Sequence, residues 1–322
     1  CIAARSHSSH SSQTEYRYTM KAVSYMTVAL AQDGSFGFAI QQEKGTYMAP
    51  TTWLPVTGAG ESVQLQHNYV TLDMADSGAY ETNYFSTGTW GQGRVIVPLV
   101  PGSLTSLLSW IQSRDGDGQG KWASVLIDCV HHVKKLRDAK VRTATFQFSK
   151  SAPVTCTLEI AGLSMSAGTT ASPNMPVAAP YIYHEASVEL ATAGGELADD
   201  VNCEAITIRI DTMLEECAEG MRLAADDEPQ QLYNTAGCRV RGSFSRDFVD
   251  SAVYDDFAAG DEAALSISLS RGDSSALLSL PRLLYLHDGL SLPGSNTQRL
   301  IETVQFAALA STDGKTAPII MS

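Results

Sequence analysis

The sequence predicts a mainly β protein in which one β-rich unit is repeated in tandem, each copy carrying a short α-helix on its flank. Three observations predict it. Cys238–Ser270 reads as strand, short helix, strand; the stretch from Gly93 to Cys129 reads the same way; and the two helices, opening near Leu104 and Val253, start about 150 residues apart. That period is too long for a solenoid and suits a duplicated domain.

In the first copy Val95, Val97 and Leu99 alternate with other residues, the period of a half-buried strand. Ser103 then opens a helix whose Leu104, Leu107, Leu108 and Ile111 fall at i, i+3, i+4 and i+7, with Trp110 beside them. Strands follow at Val125, Ile127 and Cys129, at Ala144, Phe146 and Phe148, and at Val154, Cys156, Leu158 and Ile160. In the second copy Val240, Gly242 and Phe244 alternate against Arg241, Ser243 and Ser245. Asp250 or Ser251 can cap the helix that follows, Val253, Tyr254 and Phe257 give it an apolar side, and Gly260 supplies the positive-φ stop. Leu265, Ile267 and Leu269 then alternate with serines, and Leu278–Tyr285 and Ile301–Leu309 complete the copy. The expected core is Leu104, Leu107, Leu108, Trp110, Ile111, Phe244, Val253, Phe257, Leu265, Ile267 and Leu269.

Composition narrows the function. The 44% of hydrophobic residues are spread thinly, and no run approaches the roughly 18–20 apolar residues of a membrane-spanning helix, so membrane insertion is not expected. A formal net charge of −13 argues against a nucleic-acid grip, which needs clustered Lys and Arg. The six cysteines form no CxxC pair and none sits with His at zinc spacing, so no metal is expected and free buried thiols are the default reading. Cys129 could face Cys156, and Cys203 could face Cys238, but a reducing cytosol disfavours both bridges.

Catalytic motifs are also wanting. Asp128, His131 and His132 have no nucleophile elbow to serve and decorate a strand end. Asp115–Gly118 has Leu126 where a calcium loop needs its bidentate Glu, and Gly120–Lys121 lacks the rest of a phosphate loop. Arg271-Gly272-Asp273 sits where a hairpin turn wants Gly-Asp. Neither an enzyme nor a cofactor is expected.

Four longer stretches carry a family resemblance: QQEKGTYMAPTTWLPVTG from Gln41 to Gly58, PYIYHEASVEL from Pro180 to Leu190, DVNCEAITIRIDTML from Asp200 to Leu214, and GSFSRDFVDSAVYDDFAAGDEAALSISLSRG from Gly242 to Gly272. With the C-terminal VQFAAL and APIIMS, their order and spacing resemble the tail tube (major tail) protein of a long-tailed, siphovirus-like bacteriophage, of the two-domain type. The resemblance covers about Gly37 to the end. It implies two tandem tail-tube β-sandwich or barrel domains, here 37–166 and 181–322, joined by a Pro-, Thr- and Ala-rich linker at 167–180 and preceded by an arm at 1–36.

The resemblance also implies a structural virion protein that stacks as rings into a conduit for DNA ejection. Three two-domain chains would make a pseudo-sixfold ring; a homohexamer is the alternative. The implied partners are the chain itself, a tape-measure protein in the lumen, and tail terminator and tail-tip proteins. DNA would pass without specific binding, through a lumen of carboxylates and small hydroxyls that repels phosphate. The implied location is the virion tail, with the host cytoplasm during assembly. Ring stacking would fall to two long inserts, Asp73–Trp90 with Tyr80, Tyr84, Phe85 and Trp90, and Glu215–Thr235 with Met221, Leu223, Leu232 and Tyr233. The polar arm would lie along a neighbouring subunit or ring; translation starting at Met20 or Met26 is the competing reading. The alternative function is a β-sandwich binding module for carbohydrate or a receptor, which needs an exposed aromatic platform or a carboxylate pair in a cleft. A contractile-tail or secretion tube is a nearer variant that the duplication disfavours.

Overall fold

The computed structural model describes residues 34–321 except 58–59, 72–83, 130–131, 170–171, 193–194, 224–225, 291–298, 313 and 315–316. The first copy runs β1 (Ser35–Ile40), β2 (Thr52–Pro55), β3 (Gln64–Thr71), β4 (Tyr84–Pro98), α1 (Ser103–Gln112), β5 (Ala123–Asp128), β6 (Val133–Ser149) and β7 (Thr155–Ala167). The second runs β8 (Ala186–Ala191), β9 (Ala198–Asp199), β10 (Cys203–Asp211), β11 (Arg239–Asp247), α2 (Ala252–Ala259), β12 (Glu262–Arg271), β13 (Ser274–Asp288) and β14 (Ile301–Ala308), and β15 (Ile320–Met321) adds beside β13. The protein is mainly β, and its strands form one large antiparallel sheet.

The two copies repeat each other pair for pair. Strand order is β2-β1-β5-β6-β7-β4-β3 in the first and β9-β8-β12-β13-β14-β11-β10 in the second. Even the irregularities repeat: β6 shifts register between Val141 and Thr143 against β7, and β13 shifts between Tyr285 and His287 against β14. Arg142 and Leu286 are therefore equivalent bulge residues.

The sheet forks at β6, whose one side pairs with β5 along its first half. Phe36 and Phe38 of β1 and Val95 and Val97 of β4 lie on different branches yet meet in one buried cluster, so the branches close face to face as sandwich layers. Alternation decides which side chains enter. One core-side row crosses both copies through Val97, Cys156, Phe146, Ile208, Gly242, Phe306 and Tyr285.

Helix α1 buries Leu104, Leu107, Leu108, Trp110 and Ile111, its apolar stripe, and Trp110 stacks on Phe38 with ring centroids 5.0 Å apart. Trp110→Ala should therefore lower stability by about 3–5 kcal/mol, read by denaturant unfolding. Helix α2 differs from its sequence expectation. Val253 is buried and Phe257 half-buried, but Tyr254 is exposed and Asp256 is the residue turned inward. Asp250 Oδ1 accepts from the Ala252 N–H at 3.1 Å, and Gly260 ends the helix at φ 72°. Phe244, Leu265, Ile267 and Leu269 are buried in the common core.

Candidate functional site

The two copies meet along a strand edge. β10, the last strand of the second copy's order, pairs with the second half of β6 in the first copy, Ala205 opposite Ser149 through Asp211 opposite Thr143. This joint is fastened by Lys150 Nζ to Glu204 Oε1 at 2.8 Å, and Arg299 reaches the same carboxylate at 2.6 Å. Hydrogen bonds from Lys150 and Arg299 hold the Glu204 carboxyl below its usual range. Eight strands, β3-β4-β7-β6-β10-β11-β14-β13, thereby run side by side in one chain.

The same joint is offered again at each end. β3 corresponds to β10 and pairs only with β4 among the described residues; β13 corresponds to β6, and its residues beyond Leu284 have β14 on one side and no described strand on the other. Two side chains close the outer edge just before β3: the Val63 N–H donates to Glu61 Oε1 and its carbonyl accepts from Lys134 Nζ at 2.7 Å, while Lys134 also pairs with Glu61 at 2.8 Å. The open edge therefore begins at Leu65, whose peptide groups point to the same side as those of Val63.

The face of these strands away from the core is hydroxyl- and amide-rich. Thr157, Thr145, Arg209, Arg241 and Ala307 form one cross-strand row, and Thr155, Gln147, Thr207, Ser243 and Gln305 the next. Hydroxyls and amides are frequent on this face, and carboxylates do not dominate it. Arg209 and Arg241 lie directly opposite one another and are exposed, whereas Arg94 faces Glu159. The chain's acidity therefore lies elsewhere on its surface.

The proposed stacking residues scatter. Tyr80 lies outside the described residues. Tyr84 and Phe85 are 64% and 46% exposed on the arm that β3 and the start of β4 make beyond the body, with Tyr69 and Val70 beside them. Trp90 is half-buried and its indole N–H donates to Gln92. Leu223 and Tyr233 are exposed. Leu232, however, is completely buried with Leu214, Cys217, Ala161 and Leu163, so its apolar surface is spent inside its own chain. Met221 packs toward Gly88. The second insert thus folds onto the first copy, held by Lys140 Nζ, which donates to the Leu232 carbonyl at 2.7 Å and to Asn234 Oδ1 at 3.1 Å beneath the Trp122 ring. Burial pushes the Lys140 ammonium down to about 8.

At the end of β13 sits a buried ionic cluster that the sequence did not announce. Arg246 donates from Nε to Glu302 Oε2 at 2.7 Å and lies 3.5 Å from Asp200 and 3.8 Å from Asp250. Burial pushes the Glu302 carboxyl above its ordinary range against the pull of Arg246, and Asp288 and Asp250 push the same way; burial also raises Asp288. A carboxyl whose folded pKa lies above its unfolded value stabilises most at low pH, and that contribution is lost as pH rises through the raised value. Between about pH 4 and pH 7 the unfolding free energy of the parent minus that of Glu302→Gln should fall, measured by denaturant titrations at each pH. A flat difference would contradict the assignment.

Cys129, Cys156, Cys203, Cys217 and Cys238 are free thiols, and burial pushes Cys203 up to about 12 and Cys217 up to about 11. Asp115 Oδ1 accepts from the backbone of Asp117 and Gln119, which makes its segment a turn, and Gly272, at φ 56°, turns β12 into β13. Asp128 ends β5 buried, and His131 lies outside the described residues. Among the described residues no group of three or more His, Cys, Asp or Glu could hold a metal ion, and no helix is long and apolar enough to cross a membrane.

Compared with known proteins, the chain matches a family model described as phage tail tube protein over residues 17–315. No curated protein matches it.

Proposed function

The chain belongs to the phage tail tube protein family, and from that premise we propose that three copies close a pseudo-sixfold ring and that stacked rings form the conduit for DNA ejection. Family membership makes it a structural protein of the virion tail that assembles with itself into a tube. The ring stoichiometry, the DNA path and assembly in the host cytoplasm are the proposal.

One observation carries the proposal, the joint between β6 and β10. It is a copy-to-copy contact made within one chain, and among the described residues the equivalent edges have no strand partner at either end of the same sheet. Repeating it between chains transfers the register. Ile210 opposite Ala144 and Asp211 opposite Thr143 become Leu65 opposite Asp288 and Gln66 opposite His287 of the next chain. A closed ring satisfies both end edges of this eight-strand sheet, which removes the aggregation hazard of those free strands. Six copies come from three chains because each chain contains one joint already.

The hydroxyl- and amide-bearing row through Thr155, Gln147, Thr207, Ser243 and Gln305 would be the inner wall, where DNA slides past threonine, serine and glutamine. A tape-measure protein in the lumen and terminator and tip proteins at the ends complete the proposed partners. End-on electron microscopy of assembled tubes, with scanning-transmission mass per length, tests the stoichiometry. A sixfold outline with threefold modulation and three chains per ring is the expected result. Six chains per ring would overturn it in favour of the homohexamer.

A further inference from the structure

Resting on the ring reading, we infer that the two-stranded arm of one copy, β3 with the start of β4, fills a groove on the next copy of the same ring, floored by Arg239–Arg241 and Ala307–Leu309. The chain again contains the template. Within it, the insert between β10 and β11 folds down over Trp90–Gln92 and Ala161–Leu163 of the first copy, and Leu214, Cys217 and Leu232 form a buried cluster with that floor. The strand registers make Arg239–Arg241 and Ala307–Leu309 the equivalents of those two floor segments. In the second copy no described segment covers this floor, and an open groove of about 860 Å³ lies over it, walled in part by Arg114, Asp117 and Asn234.

The chemistry of floor and cover changes together. Around the covered floor stand Arg137, Lys140, Arg142 and Ser164, and the insert meets them with acids: Glu216 pairs with Arg142, and Glu228 pairs with Arg137 at 3.3 Å and accepts from Ser164 at 2.5 Å. The equivalent positions around the open floor are Pro281, Leu284, Leu286 and Ala310, all uncharged, with Leu286 44% exposed. The arm that would arrive there is the counterpart of the insert and is equally changed. Its described residues, 64–71 and 84–90, include no Asp, Glu, Lys or Arg, and Leu65, Tyr69, Val70, Tyr84 and Phe85 are exposed on it. An acidic cover meeting the cations that flank the floor inside the chain is thus matched by an uncharged, aromatic-rich cover for a groove whose flanks are uncharged and whose floor presents Arg239 and Arg241 beside Ala307 and Leu309.

The position is also reachable. In the chain the insert leaves β10 through Thr212, whose N–H donates to the Arg142 carbonyl at 3.0 Å, and so passes over the β6 bulge. The counterpart of that crossing takes His67 over Leu286, directly onto the groove.

Photocrosslinking tests the contact in assembled tubes. With p-benzoylphenylalanine in place of Tyr84, irradiation should join two chains, and mass spectrometry should place the bond within residues 281–286 or 307–310 of the second. Crosslinks that fall elsewhere, in tubes that electron microscopy shows to have three-chain rings, would overturn this contact and leave the ring reading standing. Failure to form rings would remove both. As a second readout, Leu286→Glu should leave the monomer folded by circular dichroism but cut ring yield at least tenfold, and Tyr84→Arg added to it should restore most of the yield. Absence of rescue together with normal yield for the single variant would also overturn the contact.

Discussion

A chain carrying Leu65→Pro should stay folded and remain monomeric at concentrations where the parent forms rings. The argument rests on which way one peptide group points. Glu61 and Lys134 hold both polar groups of Val63 on the outer side of its strand, so the N–H of Leu65 two residues on is also directed outward, away from β4. Proline removes that donor without removing a bond to β4, and an edge position with its N–H toward solvent is where a strand tolerates proline. Leu65 is 41% exposed, so little packing is lost. The ring, by contrast, loses a ladder bond at each chain-to-chain joint, and the ring closes only if every joint forms. Size-exclusion chromatography with light scattering, beside circular dichroism, separates the outcomes. Folded rings from the variant would rule out β3 as the closing edge, and an unfolded variant would show that Leu65 bonds within its own chain.

Arg246→Ala should cost about 3–5 kcal/mol of stability in denaturant unfolding, because it strands buried carboxylates rather than trimming a surface pair. Glu302 has no solvent exposure and takes the Arg246 Nε hydrogen bond at 2.7 Å, while Asp200 stands 3.5 Å from the same guanidinium. Glu302 is already pushed toward its neutral form by burial with Asp288 and Asp250 nearby, and removing the cation pushes it further. The variant should therefore recover stability as the pH falls and Glu302 takes up a proton. Arg246→Ala combined with Glu302→Gln should be more stable at neutral pH than Arg246→Ala alone, since the uncompensated charge is gone. A loss below about 1 kcal/mol would place the cluster among ordinary surface pairs.

The alternating segments and helix stripe could be read directly because burial on one face writes itself into every second or every third-to-fourth residue. Val95–Leu99, Phe244, Leu265–Leu269 and the Leu104–Ile111 face all sit where that periodicity puts them. The duplication was legible for the same reason, since both copies carry the pattern in the same order. β3 could not be read this way. Its residues are nearly all exposed, so no face is marked by hydrophobicity, and its sequence QLQHNYVT carries no alternation to find.

By itself, then, the sequence determined a duplicated, mainly β protein of the tail tube kind, because side-chain pattern reports which face of an element is buried. Only the tertiary structure decided which edges meet: that β6 is long enough to pair with β5 and then β10, that Leu232 is buried against the first copy, and that Arg246 and Glu302 enclose each other beside β13. Edge pairing is made by backbone N–H and C=O groups that every residue but proline carries alike, and a buried ion pair depends on partners that are 56 residues apart here, so neither leaves a local mark in the chain.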